Sequence, residues 1–180
     1  MSLREVRFYK TSNEFIQKSV SLKGKIPLIK NLDELKAHKK DFTKSEYMAL
    51  YQQFAEIKIY DEATWEERKL LAPLLDYFYD KNNSLVLIYP YFEPLVPENE
   101  EFRFEEEEVI VELQNRLARK GMSDEEIGLF VEGITEICDI FDLNDDDCLL
   151  NLNNIGWSDI FGPRIIDWGL TNDLCKEYYG

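Results

Sequence analysis

The stretches NLNNIGW (residues 151–157) and RIIDWGL (residues 164–170) decide how the whole chain is interpreted. The first contains the amide Asn154, and the second ends a short apolar run at the carboxylate Asp167. Taken alone, each residue has an ordinary explanation, because a loop Asn can cap backbone groups and an Asp after a strand can form a turn. The elements that come before these two stretches indicate a more specific arrangement.

Strands are predicted in the first half of the chain from its apolar pattern. Residues 4–9 and 15–22 have strand-like composition, and residues 26–30 suggest a short third strand. The run SLVLIY (residues 84–89) predicts a buried strand because its residues are almost continuously apolar. A turn is expected just before this run, at residues 80–83.

Two capping boxes mark the starts of the main predicted helices. One extends from Thr43 to Glu46, and a shorter helix is predicted after it, over about residues 63–71. The other capping box begins at Ser123, and apolar residues follow it at helical spacing over residues 127–141. This last pattern predicts a helix with one buried face.

Three prolines between residues 90 and 97 predict a linker that divides the chain into residues 1–95 and residues 96–180. The segment from Glu98 to Glu108 is strongly acidic and leads into a predicted helix. Acidic residues are favourable at a helix N-terminus because they face the positive end of the helix dipole. The segment is therefore explained as a solvated helix entry, with an acidic docking patch as the alternative.

The order of these elements, with the patterns LLNLNNIG (residues 149–156) and RIID (residues 164–167), resembles the protein-kinase-like fold. The similarity is greatest to the compact, degenerate kinase-like proteins of bacteria and phages, which carry a D-L-H-x-x-N-[IV]-G segment and then an I-I-D strand. The resemblance implies an α+β, two-lobed fold. Its small, sheet-containing N-lobe would comprise residues 1–95, and its truncated, mainly helical C-lobe would comprise residues 96–180.

The resemblance implies a site for ATP and Mg²⁺ formed by four residues. In the family, an Asn and an Asp hold the metal ions that bridge the nucleotide phosphates, and Asn154 and Asp167 match these positions. Lys30 matches the phosphate-pairing lysine of the small lobe, and Glu46 matches its partner on the first helix. The capping box explains Glu46 equally well, and Lys30 is one of several lysines in its region.

Departures from the family pattern argue against ordinary kinase chemistry. Leu149 stands where the catalytic Asp is expected before Asn154. If a shorter loop aligned Asn151 with that position, its amide still could not accept a hydroxyl proton at neutral pH. The sequence has no G-x-G-x-x-G loop, and after Gly169 it shows no activation segment or A-P-E motif. We therefore expect no platform for a peptide substrate.

Composition disfavours several other functions. The net charge of -15 argues against direct binding of nucleic acid. No run approaches the roughly 20 apolar residues of a membrane span, and the N-terminus lacks a signal-peptide pattern, so we expect a cytoplasmic protein. Three scattered cysteines and a single histidine, His38, predict neither a disulfide framework nor a zinc site nor a histidine-based catalytic triad.

The function expected from these observations is that of a pseudokinase-type protein. It would act mainly by binding an unidentified protein, with a basic one favoured by charge, and would retain some affinity for nucleotide and Mg²⁺. One alternative is a small active phosphotransferase with an unusual base, because phosphoryl transfer depends mainly on positioning and electrostatics. The other is an acidic inhibitor or nucleic-acid mimic that targets a basic protein, suggested by the acidic segment and the net charge.

Overall fold

The computed structural model describes residues 5–9, 15–21, 29–97, 106–144 and 151–179. Within them the protein is an α+β protein with small antiparallel sheets, and no described helix is long and apolar enough to cross a membrane. In chain order the strands and α-helices are β1 (Glu5–Tyr9), β2 (Phe15–Ser21), α1 (Leu32–Ala37), α2 (Lys44–Glu62), α3 (Trp65–Arg68), β3 (Asp76–Tyr79), β4 (Ser84–Pro90), β5 (Glu93–Pro94), α4 (Glu106–Arg119), α5 (Asp124–Phe141), β6 (Ile155–Ser158), β7 (Gly162–Ile165) and α6 (Asn172–Tyr179).

The chain forms two compact units, and neither is continuous in sequence. Unit 1 contains residues 1–63, 73–91 and 169–180, whereas unit 2 contains residues 64–72 and 92–168. The division predicted from the proline-rich linker assigned each half one continuous segment. In the structure, α6 belongs with the N-terminal elements, and α3 belongs with the elements that follow the linker.

Unit 1 contains a four-stranded antiparallel sheet with the strand order β1-β2-β4-β3. The central strands β2 and β4 pair from Phe15 opposite Pro90 to Ser21 opposite Ser84. The side chains of residues 85–87 in β4 are buried, which confirms the predicted buried strand. β3 was not predicted, because it is an edge strand whose first three side chains are exposed and give little hydrophobic signal.

The helix α2 is buried on most of its circumference, so its apolar residues do not form one narrow stripe. It begins at the predicted capping box, where the Glu46 carboxylate accepts a hydrogen bond from the N–H of Thr43 at 2.9 Å. Farther along the helix, Gln53 is fully buried and its Nε2 donates to the carbonyl oxygens of Lys18 on β2 and Leu85 on β4. These bonds satisfy the two N–H donors of the buried amide and tie α2 to both central strands.

Unit 2 contains a three-stranded antiparallel sheet with the order β5-β6-β7, together with α4 and α5. The β6–β7 hairpin pairs Ile155 with Ile165 and Ser158 with Gly162. The helix α5 confirms the predicted buried face and its capping box at Ser123. The residues of that buried face are Ile127, Phe130, Ile134, Ile137 and Cys138.

Some local predictions differ from the structure or lie outside the described residues. The helix predicted over residues 63–71 is limited to α3, because the chain beyond it pairs with β7: the Ile165 N–H donates to the Leu70 carbonyl at 2.8 Å. For the strand predicted over residues 26–30, only Ile29 and Lys30 are described, and they are not in a strand. Most of the acidic segment, residues 98–105, also lies outside the described residues.

Gly169 lies directly against the backbone of α2. A Cβ atom at this position would stand 2.5 Å from the carbonyl oxygen of Gln52 and 2.9 Å from its Cα atom. Backbone atoms in the middle of a buried helix cannot move aside as the end of a flexible side chain can. The close approach therefore restricts residue 169 to glycine.

We expect the substitution Gly169→Ala to lower the free energy of unfolding by about 1–3 kcal/mol, the usual range for overpacking. The matched control is Gly128→Ala in α5, where an added Cβ would meet no atom within 4 Å. That control should raise stability by roughly 0.5–1 kcal/mol, because alanine is a better helix former than glycine. Urea unfolding of both variants measures the difference, and equal effects would contradict the close approach.

The second stability prediction concerns pH and rests on Tyr79, whose hydroxyl donates to the Ile29 carbonyl. Burial, with a smaller contribution from the Glu34 carboxylate, raises the pKa of Tyr79 from 10.0 to about 12. The folded protein thus keeps a proton that the unfolded chain loses, so this contribution to stability is complete below pH 10 and declines as the pH rises to 12.

We expect Tyr79→Phe to make the free energy of unfolding fall less steeply over this alkaline range than in the unsubstituted protein. Tyr47, whose pKa burial also raises to about 12, remains in the variant, so part of the decline should persist. Urea unfolding at several alkaline pH values would test this. If the free energy of unfolding fell equally steeply in the variant, Tyr79 would not contribute to the loss of stability at alkaline pH.

Candidate functional site

A charged pair is buried in unit 1, between the sheet and α2. Lys18 on β2 is 7% exposed and Glu56 on α2 is fully buried. The Nζ atom of Lys18 lies 3.2 Å from Oε1 and 3.4 Å from Oε2 of Glu56. Both residues also contact Tyr89 on β4, because the Tyr89 hydroxyl donates to Oε2 of Glu56 and the Lys18 Nζ lies 4.9 Å from the centre of the tyrosine ring.

The local structure explains why these three side chains meet. Side chains alternate between the two faces of a strand, so Lys18 shares one face of β2 with Ile16 and Val20. Lys18 is paired with Leu87, and Tyr89 is two residues farther along β4, which makes Lys18 and Tyr89 diagonal neighbours across the strands. The Gln53 side chain, which contacts the same two strands, lies one helical turn before Glu56 and fixes the helix in this position.

Burial of this pair has a large electrostatic cost. Removing a carboxylate or an ammonium group from water costs several kcal/mol per ion, and attraction between the two charges offsets this only when further bonds satisfy them. The bond from Tyr89 to Glu56 and the packing of Lys18 on the tyrosine ring supply such contacts. The arrangement therefore holds the ammonium group of Lys18 in one position beside a carboxylate.

Asn154 and Asp167 stand at the same end of the β6–β7 hairpin in unit 2. The N–H of Ile166 donates to the Asn154 carbonyl at 2.8 Å, so backbone pairing continues one step beyond the Ile155–Ile165 pair. Both Asn154 and Asp167 are partly exposed. The hairpin therefore brings the backbones of these two sequence-predicted residues close together.

Asn154 is the last residue of a short 3-10 turn over Leu152–Asn154. The side-chain oxygen of Asn151 accepts a hydrogen bond from the Asn153 N–H at 3.2 Å and so caps this turn. The side-chain oxygen of Asn153 is buried, and no hydrogen-bond partner for it occurs in the described part of the chain. Leu149, which replaces the expected catalytic Asp, lies outside the described residues.

The oxygen ligands available near Asp167 fit magnesium only in part. Within residues 5–9, 15–21, 29–97, 106–144 and 151–179, no group of three or more His, Cys, Asp or Glu side chains could hold a metal ion. Magnesium commonly takes one or two protein oxygens and completes its shell with water and substrate phosphates. The carboxylate of Asp167 and the amide oxygen of Asn154 would supply these one or two protein ligands.

Lys30 and Glu46 are not brought together by the structure. Lys30 is exposed and lines a cavity of about 400 Å³ next to Phe54 and the residues that follow it in α2. Glu46 instead caps the first turn of the same helix. The helical segment from Glu46 to Phe54 is about 12 Å long at 1.5 Å per residue. The cofactor roles predicted for Lys30 and Glu46 remain predictions.

The sequence analysis did not predict the pair of Lys18 and Glu56, although each residue stands out in its local sequence pattern. Lys18 alternates with Ile16 and Val20, which places a charge on the apolar side of a predicted strand. Glu56 is the single acidic residue in the otherwise mainly apolar run from Tyr47 to Ile59. A charge on each of two apolar surfaces that pack together is the pattern expected for a buried ion pair.

Comparison with known proteins adds no family to this description. No protein-family model matches the chain, and no curated protein matches its sequence. Inference about function therefore rests on the residues and contacts described above.

Single substitutions in the buried pair should be more damaging than the double substitution. Lys18→Met and Glu56→Gln each leave one charge buried without its partner, and we expect each to destabilise the protein by about 3–5 kcal/mol. Lys18→Met/Glu56→Gln removes both charges and keeps an amide oxygen that can accept from Tyr89. The double variant should be more stable than either single variant in urea unfolding, and simple additivity would contradict the coupling.

Proposed function

We propose that the chain is a degenerate, two-lobed protein-kinase-like protein that acts mainly by binding another protein and retains weak affinity for ATP with Mg²⁺. The observation that carries the proposal is the buried ion pair between Lys18 on β2 and Glu56 on α2. In protein kinases a lysine on a strand of the small lobe pairs with the nucleotide phosphates and with a glutamate on the neighbouring helix. That ion pair is required for activity.

The order of elements in unit 1 supports this assignment. The strand that carries the lysine is followed by the helix that carries the glutamate, and two further antiparallel strands follow that helix. In the proposal, Lys18 and Glu56 take the roles that the resemblance to protein kinases implied for Lys30 and Glu46. Lys18 lies on an earlier strand than the one predicted to carry Lys30. Glu56 lies on a later turn of the helix that begins near Glu46.

Asn154 and Asp167, both in unit 2, are the proposed metal ligands. An amide and a carboxylate oxygen at one end of the β6–β7 hairpin would hold Mg²⁺ together with phosphate oxygens. When bound, the metal supplies positive charge that neutralises the phosphates. Lys18 in unit 1 is proposed separately as the phosphate-pairing lysine, and Glu56 and Tyr89 keep it in place.

Protein binding is favoured over phosphotransfer because the expected catalytic base is replaced. Leu149 occupies the matching position in the sequence, and Asn151 uses its side-chain oxygen to cap the turn at residues 152–154. An amide would not accept a proton from a hydroxyl group at neutral pH. The described residues around Asn154 thus give the active phosphotransferase no specific support, and it stays the second candidate.

Titration with ATP and Mg²⁺ tests the nucleotide part of the proposal. Ligand that binds only the folded state raises stability by RT ln(1 + [L]/Kd), or about 1.4 kcal/mol at ten times the Kd. Thermal unfolding measures this, and the fluorescence of the buried Trp168 and the partly exposed Trp157 gives a second readout. We expect a saturable increase in Tm that requires millimolar nucleotide, as befits weak affinity.

Three variants make this titration specific. Asp167→Asn and the charge-neutral Lys18→Met/Glu56→Gln should both lose the increase in Tm, whereas Lys30→Met should retain it. Loss in Lys30→Met alone would favour the assignment made from the sequence. No shift in the unsubstituted protein would remove nucleotide from the proposal and leave protein binding as the function to be tested.

A further inference from the structure

The helix α5 carries an unusual concentration of negative charge. Its sequence, DEEIGLFVEGITEICDIF (residues 124–141), contains six acidic residues and no lysine, arginine or histidine. Acidic residues in its first turn are expected for a helix N-terminus. Glu132, Glu136 and Asp139 lie beyond that turn and are exposed, so the helix dipole does not account for them.

Two large apolar side chains are exposed among these carboxylates. Leu129 is 62% exposed and Ile140 is 57% exposed. Eleven residues correspond to three helical turns plus about 20°, so the two side chains point in nearly the same direction about 16 Å apart. We use the term outer face of α5 for the exposed stripe formed by Glu125, Leu129, Glu132, Glu136 and Ile140.

The outer face is separate from the surface that α5 uses to pack within unit 2. The inward side chains, from Ile127 to Cys138, are already buried. A single exposed apolar residue on a protein surface is common and calls for no explanation. Here two such residues share one helix face, and acidic residues flank both of them, which is the composition of a docking surface with an apolar centre and a charged border.

The charge of this surface restricts what can bind it. Nucleic acid and anionic lipid surfaces would be repelled by the carboxylates, which no basic residue of α5 offsets. A second copy of the chain that used the same face would place Glu132 and Glu136 close to other carboxylates. A segment rich in lysine and arginine instead has the complementary charge.

The shape of the surface favours a helical segment. An exposed helix has no free strand edge, so an extended peptide would find no backbone ladder to join. A second helix can lie along α5 and place side chains between Leu129 and Ile140 by packing ridges into grooves. To reach both residues, it must present two apolar side chains about three turns apart, with basic residues beside them.

We propose that the outer face of α5 docks a basic amphipathic helix of a partner protein. This inference names the partner class for the protein-binding part of the proposed function and rests on that part. It is independent of nucleotide, so a negative result here leaves the ATP titration unaffected. Because one helix face is small for a protein interface, the complex is weak and its affinity falls with added salt.

The test uses a defined peptide probe and the full chain without nucleotide. The probe is an 18-residue helical peptide of lysine, alanine and leucine, with its two leucines eleven positions apart on one face. The control peptide has the same composition, with the leucines on opposite faces. Fluorescence anisotropy of labelled peptides at two salt concentrations gives the affinities. We expect the probe to bind about tenfold more tightly than the control, as burial of two apolar side chains allows.

Two double variants locate the site of binding. Leu129→Ser/Ile140→Ser should abolish the difference between the two peptides. The matched control, Leu75→Ser/Ile160→Ser, also removes two exposed apolar side chains and should preserve it. All four positions are at least half exposed, so circular dichroism should show both variants to be folded.

Several outcomes would overturn the proposal. If both peptides bound equally, the acidic surface would merely attract cations. Absence of binding, or an unchanged difference in Leu129→Ser/Ile140→Ser, would show that the outer face is not the docking site. Sedimentation that revealed a dimer of the unsubstituted chain, lost in that variant, would assign the face to a second copy instead.

Discussion

The ion pair between Lys18 and Glu56 is the interaction on which the arrangement of unit 1 depends. Two charges that are largely removed from water must remain within about 4 Å of each other, or one is left buried and uncompensated. This requirement fixes β2 against α2, and the bond from Tyr89 extends it to β4. The register of the central strands and the position of the helix are thus coupled through three side chains.

Stability alone does not explain why such a pair is present. Well-packed apolar residues of similar volume commonly serve a fold equally well or better than a buried ion pair. Stabilisation is therefore a weak explanation for the pair between Lys18 and Glu56. A better explanation is a property that apolar side chains cannot provide. A positioned ammonium group is one such property, and it connects the packing of unit 1 with the proposed affinity for phosphate.

The sequence predicted the elements that have a strong periodic signal and missed those determined by long-range contacts. The buried face of α5 and the strand at residues 84–89 follow directly from apolar patterning. β3 has exposed side chains and exists because β4 offers it a partner, which no local pattern reveals. The pair of Lys18 and Glu56 was not predicted for a related reason: its two residues are 38 positions apart in the sequence, and no local pattern shows that they meet.

The two proposals rest on charges in opposite environments, and this makes them separable by experiment. Lys18 and Glu56 are shielded from solvent, so dissolved salt screens their mutual attraction only slightly. The carboxylates on the outer face of α5 are exposed, so their attraction for a basic helix falls steeply with ionic strength. Salt should therefore weaken partner docking while it leaves the geometry of the ion pair intact. A chain with these properties can change its partner affinity without any change in the core that positions the lysine.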